Sequence, residues 1–233
     1  MTGTITIDAL DGSGSFHAYV AEPEGTPRAA IVVIQEIFGV NPGIRARCDR
    51  WAENGYLAVA PDLFWRIEPG VELDPDVPDQ FQRALGLMGK FDQAQGVSDI
   101  EATIKAARAR LGAGGKVGVV GYCLGGRLAF MCATRTDSDA SVGYYGVGID
   151  NLLGEKHAIA HPVLLHIAEA DHFVTPDIQA KMHEGLDDHP KVTLCDYPGV
   201  DHGFATESGK RRSEEAAQLA DKRTAAFFAE NLG

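Results

Sequence analysis

Short, almost uninterrupted apolar runs alternate along the chain with longer segments whose apolar residues recur at helical spacing. Residues 29–35 (AAIVVIQ), 57–60 (LAVA), 116–121 (KVGVVG) and 162–168 (PVLLHIA) are the strongest runs, and β-branched residues are frequent in them. Strands covered on both faces of a parallel sheet read this way. Residues 141–146 and 192–197 are weaker strands of the same kind. Residues 4–7 and 16–21 instead alternate apolar and polar around the turn DGSGS, which predicts an antiparallel hairpin at the sheet's edge.

The spacing predicts a helix over 92–111, with Val97, Ile100, Ile104 and Ala107 on one stripe and Gly112 stopping it. Residues 124–134, 176–186 and 213–231 are further helices. Ser213, followed by Glu214 and Glu215, is an N-terminal signal for the last. Residues 67–78 are rich in proline and acid and lack periodicity, so an exposed excursion leading to a short helix is expected there. The alternation predicts an α/β class: a mostly parallel, doubly wound sheet with helices on both faces, in one domain over 1–233.

Composition narrows the partners. Hydrophobic residues make up 45% and charged residues 23%, as in ordinary folded proteins. A net charge of -12 disfavours nucleic acid and anionic membrane surfaces. Cys48, Cys123, Cys132 and Cys195 are scattered, with neither CxxC nor metal-type spacing, and read as free thiols. No secretory leader and no membrane-length apolar run is evident. A cytoplasmic protein with no metal and no cofactor, a monomer or small homo-oligomer, is expected.

The chemistry points to Gly121-Tyr122-Cys123-Leu124-Gly125-Gly126 between a strand and a helix. This is the G-x-S-x-G turn with cysteine in the nucleophile's place. Glycine is needed two residues before and after because the sharp turn leaves no room for side chains. The helix N-terminus then faces the thiol. The bland alternative is a tight turn holding an inert cysteine. In this pattern an acid and then a histidine follow successive strands. Asp171 and His202 stand in those places, in AEADHFVTP and YPGVDHGFA. The alternative for Asp171 is capping a helix near Pro176, and Asp201 competes as the acid, although a sequence neighbour usually points elsewhere. His157, His161, His183 and His189 show no partner, His166 reads as a core or edge residue, and Cys132 and Cys195 read as core or helix-face residues.

The stretches QEIFGVN (35–41), GYLAVAPDLF (55–64), KVGVVGYCLGG (116–126), VGYYGVG (142–148), DHFVTP (171–176) and DHGFA (201–205) together resemble the dienelactone hydrolase family, carboxymethylenebutenolidases included. The resemblance implies an α/β-hydrolase fold, a Cys123–His202–Asp171 triad, and Glu36 contacting the resting thiol and taking its proton. It further implies an oxyanion hole from the backbone N–H groups of Ile37 and Leu124. Phe38, Phe81, Leu85, Tyr145, Phe173 and Phe204 are expected around the substrate. The chain departs from the dienelactone-specific members at two positions where they carry carboxylate-binding arginines: here they are Phe81 and Thr206. Leu85 and Met88 replace neighbouring aromatics, and the roles of Arg83 and Arg127 stay open.

The expected activity is hydrolysis of a small lactone or ester through a thioester on Cys123. A broad carboxylesterase acting on activated esters, a non-catalytic small-ligand binder on the same fold, and a redox-sensing thiol protein are the alternatives.

Overall fold

The computed structural model describes residues 1–207 and 209–233. The chain divides into two compact units, Met1–Gly118 and Val119–Gly233.

The first unit opens with strands β1 (Thr2–Asp8) and β2 (Ser15–Ala21), paired antiparallel from Thr2↔Ala21 to Asp8↔Ser15. This is the hairpin expected around DGSGS. Strands β3 (Ala30–Ile34) and β4 (Leu57–Pro61) run parallel, and β2 joins β4 antiparallel, giving the order β1-β2-β4-β3. Every residue of β3 and β4 is buried, as continuous apolarity requires when helices cover both faces. Helix α1 (Pro42–Glu53) links the two parallel strands; α2 (Pro78–Met88) and α3 (Gln93–Leu111) follow β4. Helix α3 starts at Asp92, whose carboxylate accepts from the N–H groups of Ala94 and Gln95, and ends at Gly112 with φ 84°.

The second unit contains the order β5-β6-β7-β8: β5 (Val117–Tyr122, whose first residues belong to the first unit), β6 (Ala140–Tyr144), β7 (Val163–Ala168) and β8 (Val192–Tyr197). Strands β6, β7 and β8 are parallel. Helices α4 (Leu124–Arg135), α5 (Pro176–Leu186) and α6 (Glu214–Leu232) alternate with them. Strand β8 is only half-buried, as befits the last strand of the order. Among the described residues no helix is long and apolar enough to cross a membrane.

Three elements differ from the sequence expectation. Helix α1 carries four charged residues between Arg45 and Arg50 and buries only Ile44, Arg47 and Cys48, so its apolar stripe is too thin to detect. Its caps were the better signal: Asn41 accepts from the N–H of Ile44, and Pro42 occupies the first turn. Residues Ile149–Ala158 form a 3-10 helix, whose three-residue repeat no helical template matches. Ser213 does occupy the N-cap of α6, but its side chain makes no capping bond; the acidic first turn is the signal that holds.

One polar cluster fastens the first unit. Asp99 on α3 is fully buried and accepts from Trp65 Nε1 (2.8 Å), Arg66 Nε (3.0 Å) and Arg66 Nη2 (2.7 Å). Arg66 also reaches Asp11 and Ser13 in the hairpin turn. Breaking a buried pair leaves an uncompensated charge, so Asp99→Ala is expected to cost about 3 kcal/mol in urea unfolding. A loss under about 1 kcal/mol would show that the cluster is ornamental.

Candidate active site

The second unit gathers the three residues the sequence nominated. Cys123 sits between β5 and α4 with φ 54° and ψ -113°, a left-handed backbone that non-glycine residues seldom adopt. Its N–H donates to the Tyr144 carbonyl at 3.0 Å, and its own carbonyl accepts from Arg127 N–H at 3.2 Å. The turn tolerates no substituent at Gly121, where a Cβ would lie 1.9 Å from the Gly125 carbonyl oxygen. Gly126 is equally constrained: its Cβ would come within 2.4 Å of the Tyr144 carbonyl oxygen. The side chain of Cys123 is half-buried.

Asp171 follows β7 and is buried. Its Oδ1 accepts from the N–H groups of Phe173 (2.8 Å) and Val174 (3.2 Å), a local turn that orients the carboxylate. Oδ2 faces Nδ1 of His202 at 2.8 Å. Asp171 therefore does not cap α5, whose N-cap is Thr175. Nor does Asp201 serve the His202 ring. It accepts the backbone N–H of His202 at 2.6 Å and bonds the imidazole of His172. With Nδ1 of His202 committed to Asp171, Nε2 is the nitrogen left for the thiol. That nitrogen is buried and closes no hydrogen bond of full geometry, although Cys123 is near enough to shift its titration.

Burial pushes the His202 pKa down, but the bond to Asp171 and the bond and charge of Cys123 outweigh it and raise it to about 10. Its ring meets Phe173 edge-on at 4.9 Å and Tyr145 at 5.0 Å between centroids. Phe204 is fully buried behind them, 5.5 Å from Tyr145 and 4.9 Å from Tyr197. It backs the wall rather than facing solvent. Phe173 is 45% exposed and forms an open rim. Leu124 opens α4, so its N–H belongs to the first turn that no intrahelical carbonyl takes.

Thr206 is buried, its hydroxyl closing no hydrogen bond among the described residues, and its carbonyl accepts from Arg212 Nη1 at 2.8 Å. Arg127 reaches the Val147 carbonyl at 3.5 Å. Of the other histidines, His166 is a core residue bonded to Tyr197 and Thr224, as expected, and burial lowers its pKa to about 3. His183, without a visible partner in the sequence, bridges Asp187 and Asp196.

The remaining nominated residues lie in the first unit. Glu36 and Ile37 follow β3 and are buried. Their loop is held by Gln35, which accepts from Leu63 N–H at 3.1 Å, and by the Phe38 carbonyl, which accepts from Leu73 N–H at 2.9 Å. Gly39, at φ 75°, lets the chain pass Val71, whose carbonyl oxygen would lie 1.8 Å from a Cβ. Phe38 packs on the half-buried Phe81 at 5.8 Å, and Leu85 is half-buried one turn further along α2. Arg83 forms an exposed ion pair with Glu68.

Two features escaped sequence reasoning. Tyr145 has φ 38°, a strained backbone that turns its ring toward His202. Asp201 was weighed only as a rival acid, whereas it ties two loops together. The repeated Asp-His dipeptide, at 171–172 and 201–202, was the available signal.

The dienelactone hydrolase family model matches residues 16–232. A carboxymethylenebutenolidase homologue from Azospirillum brasilense is 48% identical over 231 residues, covering 98% of this chain and 99% of its own. The carboxymethylenebutenolidase of Pseudomonas putida is 41% identical over 229 residues, covering 98% and 97%. Among solved structures, a dienelactone hydrolase homologue from Klebsiella pneumoniae subsp. pneumoniae MGH 78578 superposes with a TM-score of 0.83 at 30% identity, covering 99% of this chain and 98% of the other. The fold is accordingly that of the α/β hydrolases, a mostly parallel sheet interleaved with helices.

A raised histidine pKa links to stability with a definite sign. The contribution is complete below the unfolded value of 6.5 and is lost as pH rises through about 10. The thermal midpoint of the parent should therefore fall across that interval more steeply than that of His202→Gln. Parallel slopes would mean that the imidazole gains nothing from Asp171 and Cys123.

Proposed function

The chain belongs to the dienelactone hydrolase family and is a carboxylic-ester hydrolase, and from that premise we propose that it opens a small, uncharged lactone or activated ester through a thioester on Cys123. The observation that carries this reading is the 2.8 Å contact between Asp171 and His202 in the unit that holds the strained Cys123. The thiolate attacks the carbonyl carbon, forming the C–S bond while the carbonyl electrons move to oxygen. Collapse breaks the C–O bond and expels an enolate or aryl oxide, which takes the proton from the His202 imidazolium. Water then adds to the thioester, His202 accepting its proton, and the C–S bond breaks to return the thiolate.

Leu124 N–H, at the head of α4, is our first oxyanion donor, and Ile37 N–H the second. Each such donor is worth about 3 kcal/mol. Ile37 and Glu36 enter the reading through the family resemblance. Their burial is compatible with these roles. Two groups then compete to take the thiol proton: the Glu36 carboxylate, as the resemblance has it, and His202, whose raised pKa favours an imidazolium beside a thiolate.

The lack of a cationic side chain at the two departure positions supports an uncharged substrate. Phe81 packs on Phe38, Thr206 is a buried hydroxyl, and Arg83 is engaged at the surface. The same observation favours a second reading, a carboxylesterase without preference for lactones. One family match running over 16–232 supports a single domain. The four free cysteines support a reducing, cytoplasmic setting, with a small molecule as partner and a monomer or small homo-oligomer as the working form.

Cys123→Ala is expected to abolish turnover of an aryl acetate and of a dienelactone, and to remove the acyl-enzyme mass of the parent. Near-parental turnover would end the mechanism and revive the non-catalytic readings. Glu36→Gln distinguishes the proton acceptors: kcat falls roughly 100-fold if the carboxylate takes the proton, a size typical of acid–base groups, and holds if His202 does. A neutral enol lactone turned over no faster than an aryl ester would favour the esterase reading.

A further inference from the structure

Two loops of the second unit carry the same dipeptide, Asp171-His172 after β7 and Asp201-His202 after β8. The structure pairs them crosswise. Asp171 reaches His202 with Oδ2 to Nδ1 at 2.8 Å, and Asp201 reaches back to His172 with Oδ1 to Nδ1 at 2.8 Å. The first pair is sealed, with side-chain exposures of 1% and 3%; the second is open, at 57% and 59%.

The outer carboxylate does more than meet an imidazole. Its Oδ1 also accepts the backbone N–H of His202 at 2.6 Å and of His172 at 3.1 Å. One oxygen atom thus holds the main chain beside both Asp171 and His202. The nearest backbone strap between these loops, Ala170 N–H to the Val200 carbonyl at 3.0 Å, fixes their bases but not their tips. Burial pushes the Asp201 carboxyl up, yet the His172 side chain, the two N–H groups and the imidazole's charge hold it below the usual carboxylate range. It is therefore an anion at neutral pH. The outer half also continues into the site: the His172 ring lies 4.0 Å from that of Phe173, which meets His202 edge-on.

We propose that the exposed His172–Asp201 pair is a positioning latch for the triad, fixing the spacing of the two loops and so keeping Asp171 opposite Nδ1 of His202. This rests on the Cys123–His202–Asp171 reading. An open ion pair adds little to global stability, whereas displacement of catalytic groups by about 1 Å costs up to roughly 100-fold in rate. Loss of the latch therefore acts on kcat and leaves the fold alone. His172 and Asp201 are positioning residues: neither touches the reacting atoms.

The test uses the full chain with 4-nitrophenyl acetate as substrate and iodoacetamide as probe of Cys123. Asp201→Ala should lower kcat roughly 10- to 100-fold, with KM within about twofold of the parent and the thermal midpoint within about 2 °C. Its pH profile of Cys123 alkylation should move to higher pH, because an imidazolium less well held by Asp171 supports the thiolate less. Asp201→Asn should recover most of kcat, since the amide oxygen still accepts both backbone N–H groups. His172→Ala should lose less than Asp201→Ala. Parental kcat and an unshifted alkylation profile in Asp201→Ala overturn the latch. So does a midpoint that falls along with kcat in the Ala and Asn variants alike, which marks a merely structural pair. Cys123→Ala separates the two readings: turnover that survives it overturns the triad, whereas turnover lost there but intact in Asp201→Ala overturns the latch alone.

Discussion

The second unit is organised around a backbone that is unfavourable in isolation. A cysteine at φ 54° costs about 1–3 kcal/mol and persists only where its surroundings over-determine it. Here the surroundings are glycines that let the strand, the turn and the first turn of α4 pass within contact, and a β6 carbonyl that takes the Cys123 N–H. The same strand end then bends through the strained Tyr145, whose N–H is held by the His166 carbonyl at 2.8 Å. Beneath it lies a buried polar set: Tyr144 bonds Thr224 and Asp221 on α6, and His166 bonds Thr224 and Tyr197. Such networks have few alternative arrangements once satisfied. The strain at Cys123 is thus offset by a strand end anchored from α6, whose Tyr144 carbonyl takes the Cys123 N–H directly.

That division explains what the sequence made legible. The buried strands announced themselves because a strand covered on both faces has no polar face to interrupt it. The Asp171–His202 pair was legible because the fold imposes an order, and the two residues fall after consecutive strands in that order. Helix α1 was not legible, because four of its middle residues are charged and Arg47 is itself buried. The 3-10 helix after β6 was hidden by its period. Asp201, rightly set aside as the acid, had its bonding role hidden for a different reason. A neighbour in sequence points away from the ring it precedes, so its value lies in what it bonds across the loop, and distances across loops are not written in local spacing.

Charge and leaving-group chemistry together restrict what the site can process. A chain with net charge -12 repels anions unless a local cation intervenes. The two departure positions supply none, and Arg83 is paired with Glu68. On the proposed reading of an uncharged substrate, apolar contact does the holding, and about 100 Å² of buried ring contributes only about 2.5 kcal/mol. Selection must then rest more on reactivity than on capture. The tetrahedral intermediate chooses between expelling sulfur and expelling oxygen, and the weaker base leaves. An ordinary thiol has a pKa of about 8.5 and a phenol about 10, close enough for the oxygen to depart when an imidazolium near pKa 10 protonates it. A simple alkoxide is far more basic and would return the thiolate instead. A cysteine in this turn is therefore suited to enol and aryl esters, whose leaving oxygens resemble phenols. Serine, which would lose the contest with no leaving group of that kind, would gain nothing from the restriction.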